Sequence, residues 1–378
     1  MEEFAAVRLA GRSGLGRPDL TQAMAGGRWL LHCRLGDLGA WEEPAEYELL
    51  VVDQALQPVW RLRPPPEPSH WEGTHGVADD LSLVALALPR EVRLVDGGGQ
   101  PVARFPYPTE DDSGYAAFSA DGRHLEVQFP GRDEALTLDA DGEVVARGPW
   151  SGLGEAGGCA FTADGRWLWA YVPHKGKGDE LWLIDLATLT VADRRTLGSE
   201  SQRVLPYRHP DGQALGLNLW AGHDAVIRWA QPADGRIELQ PLPEPAVLRD
   251  IHPAGEEYLA TPQQDQADQH PPLTRRRYPD GEVLERLPEW EWEADAGYLT
   301  GELLVAEVWR PDLPGRNRHM LLRRQPLGVL GWIRYPDGDG GLPGHFSSSR
   351  EGRWLTVSDD AVECWGLAQS PSPMAGSR

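Results

Sequence analysis

Carboxylates and tryptophans recur together in a set of short, turn-rich segments. Residues 64–73, 106–113, 148–157, 198–201, 241–246, 287–295 and 335–343 hold fourteen Asp or Glu and no Lys or Arg. Glu72, Glu110, Asp111, Asp112, Glu289, Glu291, Glu293, Asp295, Asp337 and Asp339 carry most of that charge, with Trp71, Trp150, Trp290 and Trp292 among them. A further segment sets Trp41 beside Glu42 and Glu43. Carboxylates attract a cationic side chain, and an indole face holds it at contact. The combination suits a basic segment of a partner protein, and Trp platforms beside carboxylates also suit sugars. The plainer alternative is a solvated acidic rim whose indoles pack on neighbouring elements.

Other chemistry finds little support. No G-x-S-x-G elbow, phosphate-cradling loop or dinucleotide fingerprint occurs, and Ser347-Ser-Ser has no readable His or Asp partner. The eleven His are scattered without metal-ligand spacing. Asp139-Ala-Asp-Gly and Asp337-Gly-Asp-Gly begin like calcium loops, but Trp150 and Ser348 stand where the twelfth-position Glu would be. The residues therefore predict no catalytic group, no metal and no cofactor.

The elements that position these segments are repeats. Phe118-Ser-Ala-Asp-Gly-Arg-His-Leu and Phe161-Thr-Ala-Asp-Gly-Arg-Trp-Leu each read as a strand, a tight turn and a second strand. Copies follow at His209-Pro-Asp-Gly, His252-Pro-Ala-Gly, Thr300-Gly-Glu and Arg350-Glu-Gly, with weaker ones at Gly26 and Asp79. The turn residues recur about every 46 residues, the span of four short strands and their connections. A second hairpin follows each copy, as in Glu91-Val-Arg-Leu-Val-Asp then Pro101-Val-Ala-Arg-Phe. Nowhere is there a helical period of useful length.

Four antiparallel strands in this repeat resemble a WD40-like β-propeller over residues 1–367. Trp229 and Trp365 take the Trp place of the WD dipeptide, and Asp53, Asp96, Asp139 and Asp185 keep its Asp. The resemblance implies an all-β fold of eight four-stranded blades, with seven as the alternative. The expected blades are 19–63, 74–105, 113–148, 156–198, 201–242, 245–288, 292–335 and 342–367 plus 3–9. Phe4-Ala-Ala-Val-Arg-Leu would close the ring as the missing fourth strand of the last blade. Residues 368–378 read as a disordered tail. Trp167, Trp169, Trp182, Trp229, Trp354 and Trp365 fall on strands and are assigned to packing between blades.

With this frame the acid-rich segments become the connections between blades and gather on one face. The resemblance also implies function, because such propellers mostly act as platforms, and bacterial ones often belong to multi-protein assemblies, including defence systems. The leading reading is a non-catalytic scaffold presenting an acidic, Trp-bearing face to a basic peptide or partner subunit. The alternatives are a propeller enzyme of lactonase type and a carbohydrate-binding lectin.

Composition sets the outer limits. The chain has 378 residues, 36 basic against 58 acidic, and a net charge of −22. That balance argues against nucleic acid or an anionic membrane as partner. No apolar run is long enough to span a bilayer and no secretory signal is visible at Met1. Three scattered Cys and only two Lys fit a reducing, cytoplasmic setting and a GC-rich, bacterial genome. A monomeric ring suffices for the fold.

Overall fold

The computed structural model describes residues 2–368 except 14–16, 25–26, 36–45, 66–71, 108–112, 130–131, 140, 151–158, 173–177, 198–202, 222–223, 243–244, 262–271, 288–291, 310–316, 337–344, 349–351 and 359–360. The described residues form an all-β propeller of eight four-stranded sets. Blades 1 to 6 occupy 17–62, 76–106, 113–150, 159–196, 203–241 and 247–287. Blade 7 occupies 292–334, and blade 8 combines 345–367 with strand Glu2–Ser13.

Blades 7 and 8 are halves of one eight-stranded sheet. Residues 6–13 of strand Glu2–Ser13 pair antiparallel with the third strand of blade 8, Ala361–Leu367, and Leu9 bulges between Arg8 and Ala10. Residues 2–5 then continue past that blade and pair in parallel with 331–334, the outermost strand of blade 7. The expected closure is present, and it reaches one blade further than the missing-strand argument foresees.

Each blade is two hairpins in series, and its turns explain the repeated residues. Gly122 and Gly165 follow Asp at φ of 69° and 66°, a left-handed conformation that costs glycine least. Asp53, Asp96, Asp139 and Asp185 cap the second hairpin, each accepting backbone N–H bonds through Oδ1. The Asp of the repeat is thus a turn-builder.

The core lies between blades. In blade 4 every residue of the second strand Trp167–Val172 is buried, its alternate side chains packing towards blades 3 and 5. The fourth strand Thr190–Thr196 alternates polar and half-buried positions, as an outer strand must. Trp169, Trp354 and Trp365 are among the largest fully buried side chains. The Trp169 indole also donates to Gln213 O of blade 5 at 3.0 Å.

Adjacent blades are further joined at their turns. Ala163 N donates to Gly212 O at 2.7 Å, and His209 Nε2 to Gly255 O at 2.8 Å. His252 Nε2 repeats the contact one blade on, to Gly301 O at 3.2 Å. Asn218 of blade 5 clamps the first strand of blade 6, donating to Leu248 O at 2.9 Å and accepting from Leu248 N at 2.8 Å. The two histidines that share a repeat position therefore share a structural role.

Candidate interaction face

The antiparallel order gives every blade two different ends. Both hairpin turns lie at one end. The connections from second to third strand, and from one blade to the next, leave from the other. The described strand ends that flank the seven acid-rich segments all lie at that connection end.

Of the residues proposed for the face, Trp41, Glu42, Glu43, Trp71, Glu110, Asp111, Asp112, Glu289, Trp290, Glu291, Asp337 and Asp339 lie outside the described residues. The backbones of Glu72, Trp150, Trp292, Glu293 and Asp295 lie on strands at the connection end. Glu72 pairs with Ser113, Trp150 with Asp133 and Trp292 with Val308.

Carboxylates are also abundant at the hairpin end, where several are held in the turns. Asp121 accepts from Ser119 Oγ at 2.7 Å and Arg123 N at 3.1 Å, and Asp164 accepts from Thr162 Oγ1 at 2.7 Å and Arg166 N at 3.0 Å. Burial pushes both carboxyls up, but these hydrogen bonds and the adjacent arginines leave them below the ordinary value. Asp211 behaves likewise, with His209 beside it. These hairpin-end acids are bound into their own turns.

Arginines near the connection end are engaged on the outer wall. Glu91 bridges Arg93 and Arg104 of blade 2, and Glu48 of blade 1 lies 3.5 Å from Arg63. In blade 4 the Trp182 indole donates to Glu180 at 2.7 Å and carries the Arg194 guanidinium 4.2 Å from its ring centroid. This last group shows the carboxylate, indole and guanidinium chemistry expected of the face, built within one blade.

Two histidine clusters lie beyond sequence spacing. His32 of blade 1 stacks on Tyr47 at 4.6 Å and meets His75, at the entry to blade 2, edge-on at 5.2 Å. Burial and the neighbouring His75 push His32 down to about 3. His319 of blade 7 hydrogen-bonds the Tyr335 hydroxyl, which accepts from the Trp354 indole of blade 8 at 3.0 Å. Burial pushes His319 down to about 3 as well. Neither cluster is a metal centre: among the described residues no three His, Cys, Asp or Glu are grouped to hold an ion.

These groups fix the sign of the pH response. A buried His held neutral costs stability once the unfolded chain takes up protons, below about 6.5. A carboxyl with a lowered value stabilises the fold above about 3.9 and stops doing so as pH falls through its folded value. Both effects run the same way. The melting temperature is expected to be highest near neutrality and to fall on acidification, first through the His range and then through the Asp range. A melting temperature unchanged between pH 7 and pH 4 would contradict the assignment.

Comparison with known protein families finds no matching model, and no curated protein matches the chain. Solved structures do match in fold. The Dos1 propeller aligns with a TM-score of 0.58 at 13% identity, over 97% of this chain and 95% of that one. BamB from Moraxella catarrhalis aligns at 0.57 and 12% identity, over 97% and 99%. Sqt1 of Chaetomium thermophilum aligns at 0.56 and 13% identity, over 96% and 98%. At such identities the likeness is one of architecture. The chain shares the β-propeller fold of these structures.

Proposed function

We propose that the chain is a non-catalytic interaction scaffold whose connection end docks a basic peptide or a basic surface of a partner subunit. The observation that carries this reading is the strand topology. It sends every connection between blades to one end, and those connections hold fourteen carboxylates and no Lys or Arg. Asp53, Asp96, Asp121, Asp139, Asp164, Asp185 and Asp211 of the opposite end are tied into turns, which makes them poorer ligands for an incoming cation. Trp41, Trp71, Trp150, Trp290 and Trp292 add cation–π capacity there. The buried side chains of Cys33 and Cys364 fit a cytoplasmic setting. Among the described residues no helix is long and apolar enough to cross a membrane.

A nona-arginine peptide is a sufficient probe. Its affinity for the full chain is expected to fall steeply with salt, because exposed ion pairs are screened. Reversing Glu289, Glu291 and Glu293 to Lys is expected to weaken binding by about tenfold or more and to flatten the salt dependence. Affinity unchanged by the triple reversal, or hydrolysis of a lactone panel by the purified chain, would overturn the reading.

A further inference from the structure

The outer strands follow a rule that blade 2 breaks. In blades 1, 2, 3 and 4 the fourth strand bulges once against the third, and the bulge aligns the blades with one another. The second pair counted from it sets Arg61, Arg147 and Arg194 of the fourth strands opposite Leu50, Leu136 and Trp182 in blades 1, 3 and 4. In blade 2 the same pair is Arg104 opposite a second arginine, Arg93. Like charges directly opposite each other weaken a strand pair, so the substitution works against the fold.

Glu91 offsets only part of that repulsion. Its buried carboxylate accepts through Oε1 from Arg93 Nε at 3.2 Å and from Arg93 Nη2, and through Oε2 from Arg104 Nε. Glu48 and Glu180 hold the corresponding position in blades 1 and 4, beside one arginine of the pair instead of two. The blade 2 group therefore keeps one surplus positive charge. Arg93 Nη1 and both Nη atoms of Arg104 have no acceptor among the described residues. Against them lies an open cavity of about 380 Å³, lined by Arg93, Pro101, Val102, Ala103 and Arg104.

We propose that this cavity binds a small monocarboxylate with a short apolar body. Two guanidinium forks held by a shared buried carboxylate present in-plane N–H groups, the geometry that a planar carboxylate matches. A single negative charge balances the surplus, and a phosphate dianion would overshoot it. Pro101, Val102 and Ala103 supply the apolar wall beside the charged head. The volume is at the lower end of the roughly 300–1,000 Å³ of small-molecule sites, which suits a short chain. Glu91 is the positioning residue, fixing both arginines without meeting the ligand. The site lies on the outer wall and does not depend on the docking reading.

Hexanoate is the probe, with its affinity for the full chain read by saturation-transfer NMR. Hexanol, which lacks the charge, and inorganic phosphate, which lacks the apolar body, are each expected to bind about tenfold more weakly or worse. Arg93→Leu restores the residue type that blades 1 and 3 use. It is expected to weaken hexanoate by about tenfold or more while the melting temperature stays level or rises. Arg104→Gln, at an exposed position, is expected to weaken it similarly, and Arg61→Gln, the matching change in blade 1, to leave it within about twofold. Affinity unchanged by Arg104→Gln, or lowered as much by Arg61→Gln, would overturn the site even if the Arg93 variant did not fold. Phosphate binding as tightly as hexanoate would overturn the carboxylate assignment, and no binding of hexanoate would overturn the whole inference.

Discussion

Removal of strand Glu2–Ser13 is expected to abolish the cooperative unfolding transition. The strand pairs at four positions with blade 7 and at seven with blade 8, so its loss uncovers both sheets at once. Phe4 and Ala6 leave the cluster of Leu299, Val305, Leu321, Ile333, Trp354 and Trp365 that joins the two blades. Each lost ladder bond is worth about 1 kcal/mol net, and burial of the cluster adds to that. The total is comparable to the roughly 5–15 kcal/mol that holds a typical domain folded. A chain beginning at residue 14 should show non-coincident melting by circular dichroism and tryptophan fluorescence. A synthetic peptide of residues 1–16 added in trans should restore a single transition. A truncated chain that melts cooperatively within a few degrees of the full one would show that the ring closes by other means.

The second large effect belongs to Glu257. Its carboxylate is buried between blades 6 and 7 and accepts from four donors. Arg275 Nη1 contacts Oε2, Arg324 reaches Oε1 at 2.9 Å and Oε2 at 3.1 Å, and the Tyr298 hydroxyl reaches Oε1 at 3.0 Å. Glu285 binds the other side of Arg275 at 2.6 Å and accepts from Leu327 N at 3.0 Å. Burial alone would raise the Glu257 carboxyl, but the Arg324 bonds, the Arg275 charge and Tyr298 hold it below the ordinary range. Glu257→Ala leaves Arg275 with Glu285 and Arg324 with Glu256 but removes the buried carboxylate that joins them, and removing one partner of a buried pair costs about 3–5 kcal/mol. Urea denaturation should show that loss as a lower midpoint with an unchanged slope. A Glu257→Leu, Arg275→Met, Arg324→Met triple variant should recover much of it, since apolar groups of similar volume often replace such networks at little cost. A loss below about 1 kcal/mol for Glu257→Ala would place the network in solvent.

The blades were readable because each is local. A hairpin is determined by neighbours a few residues apart, so period-two alternation and Ala-Asp-Gly-Arg turns reveal it directly. The tryptophans of the second and third strands were readable for the same reason, since alternation says which side faces the next sheet. Contacts between blades obey no such spacing. On the strand Leu273–Arg277, Arg275 and Arg276 are buried. Arg275 pairs with Glu257 and Glu285 from the two adjoining strands of its blade, a pairing that alternation along one strand does not reveal. Nor does alternation reveal Glu72–Thr74 crossing to blade 3, because a three-residue parallel pairing leaves no period. The acidic character of the connections was legible as charge. That hairpin acids are held in their turns emerged only from their hydrogen bonds.

The proposed docking of a basic partner at the connection end can be read by carboxyl footprinting of the full chain, comparing labelling with and without saturating nona-arginine by mass spectrometry. Protection is expected at Glu72, the 110–112 acids, Glu289, Glu291, Glu293, Asp337 and Asp339. Asp53, Asp96, Asp139 and Asp185 at the hairpin end should label equally in both samples. Protection confined to the hairpin end, or spread evenly over all the acids, would contradict it.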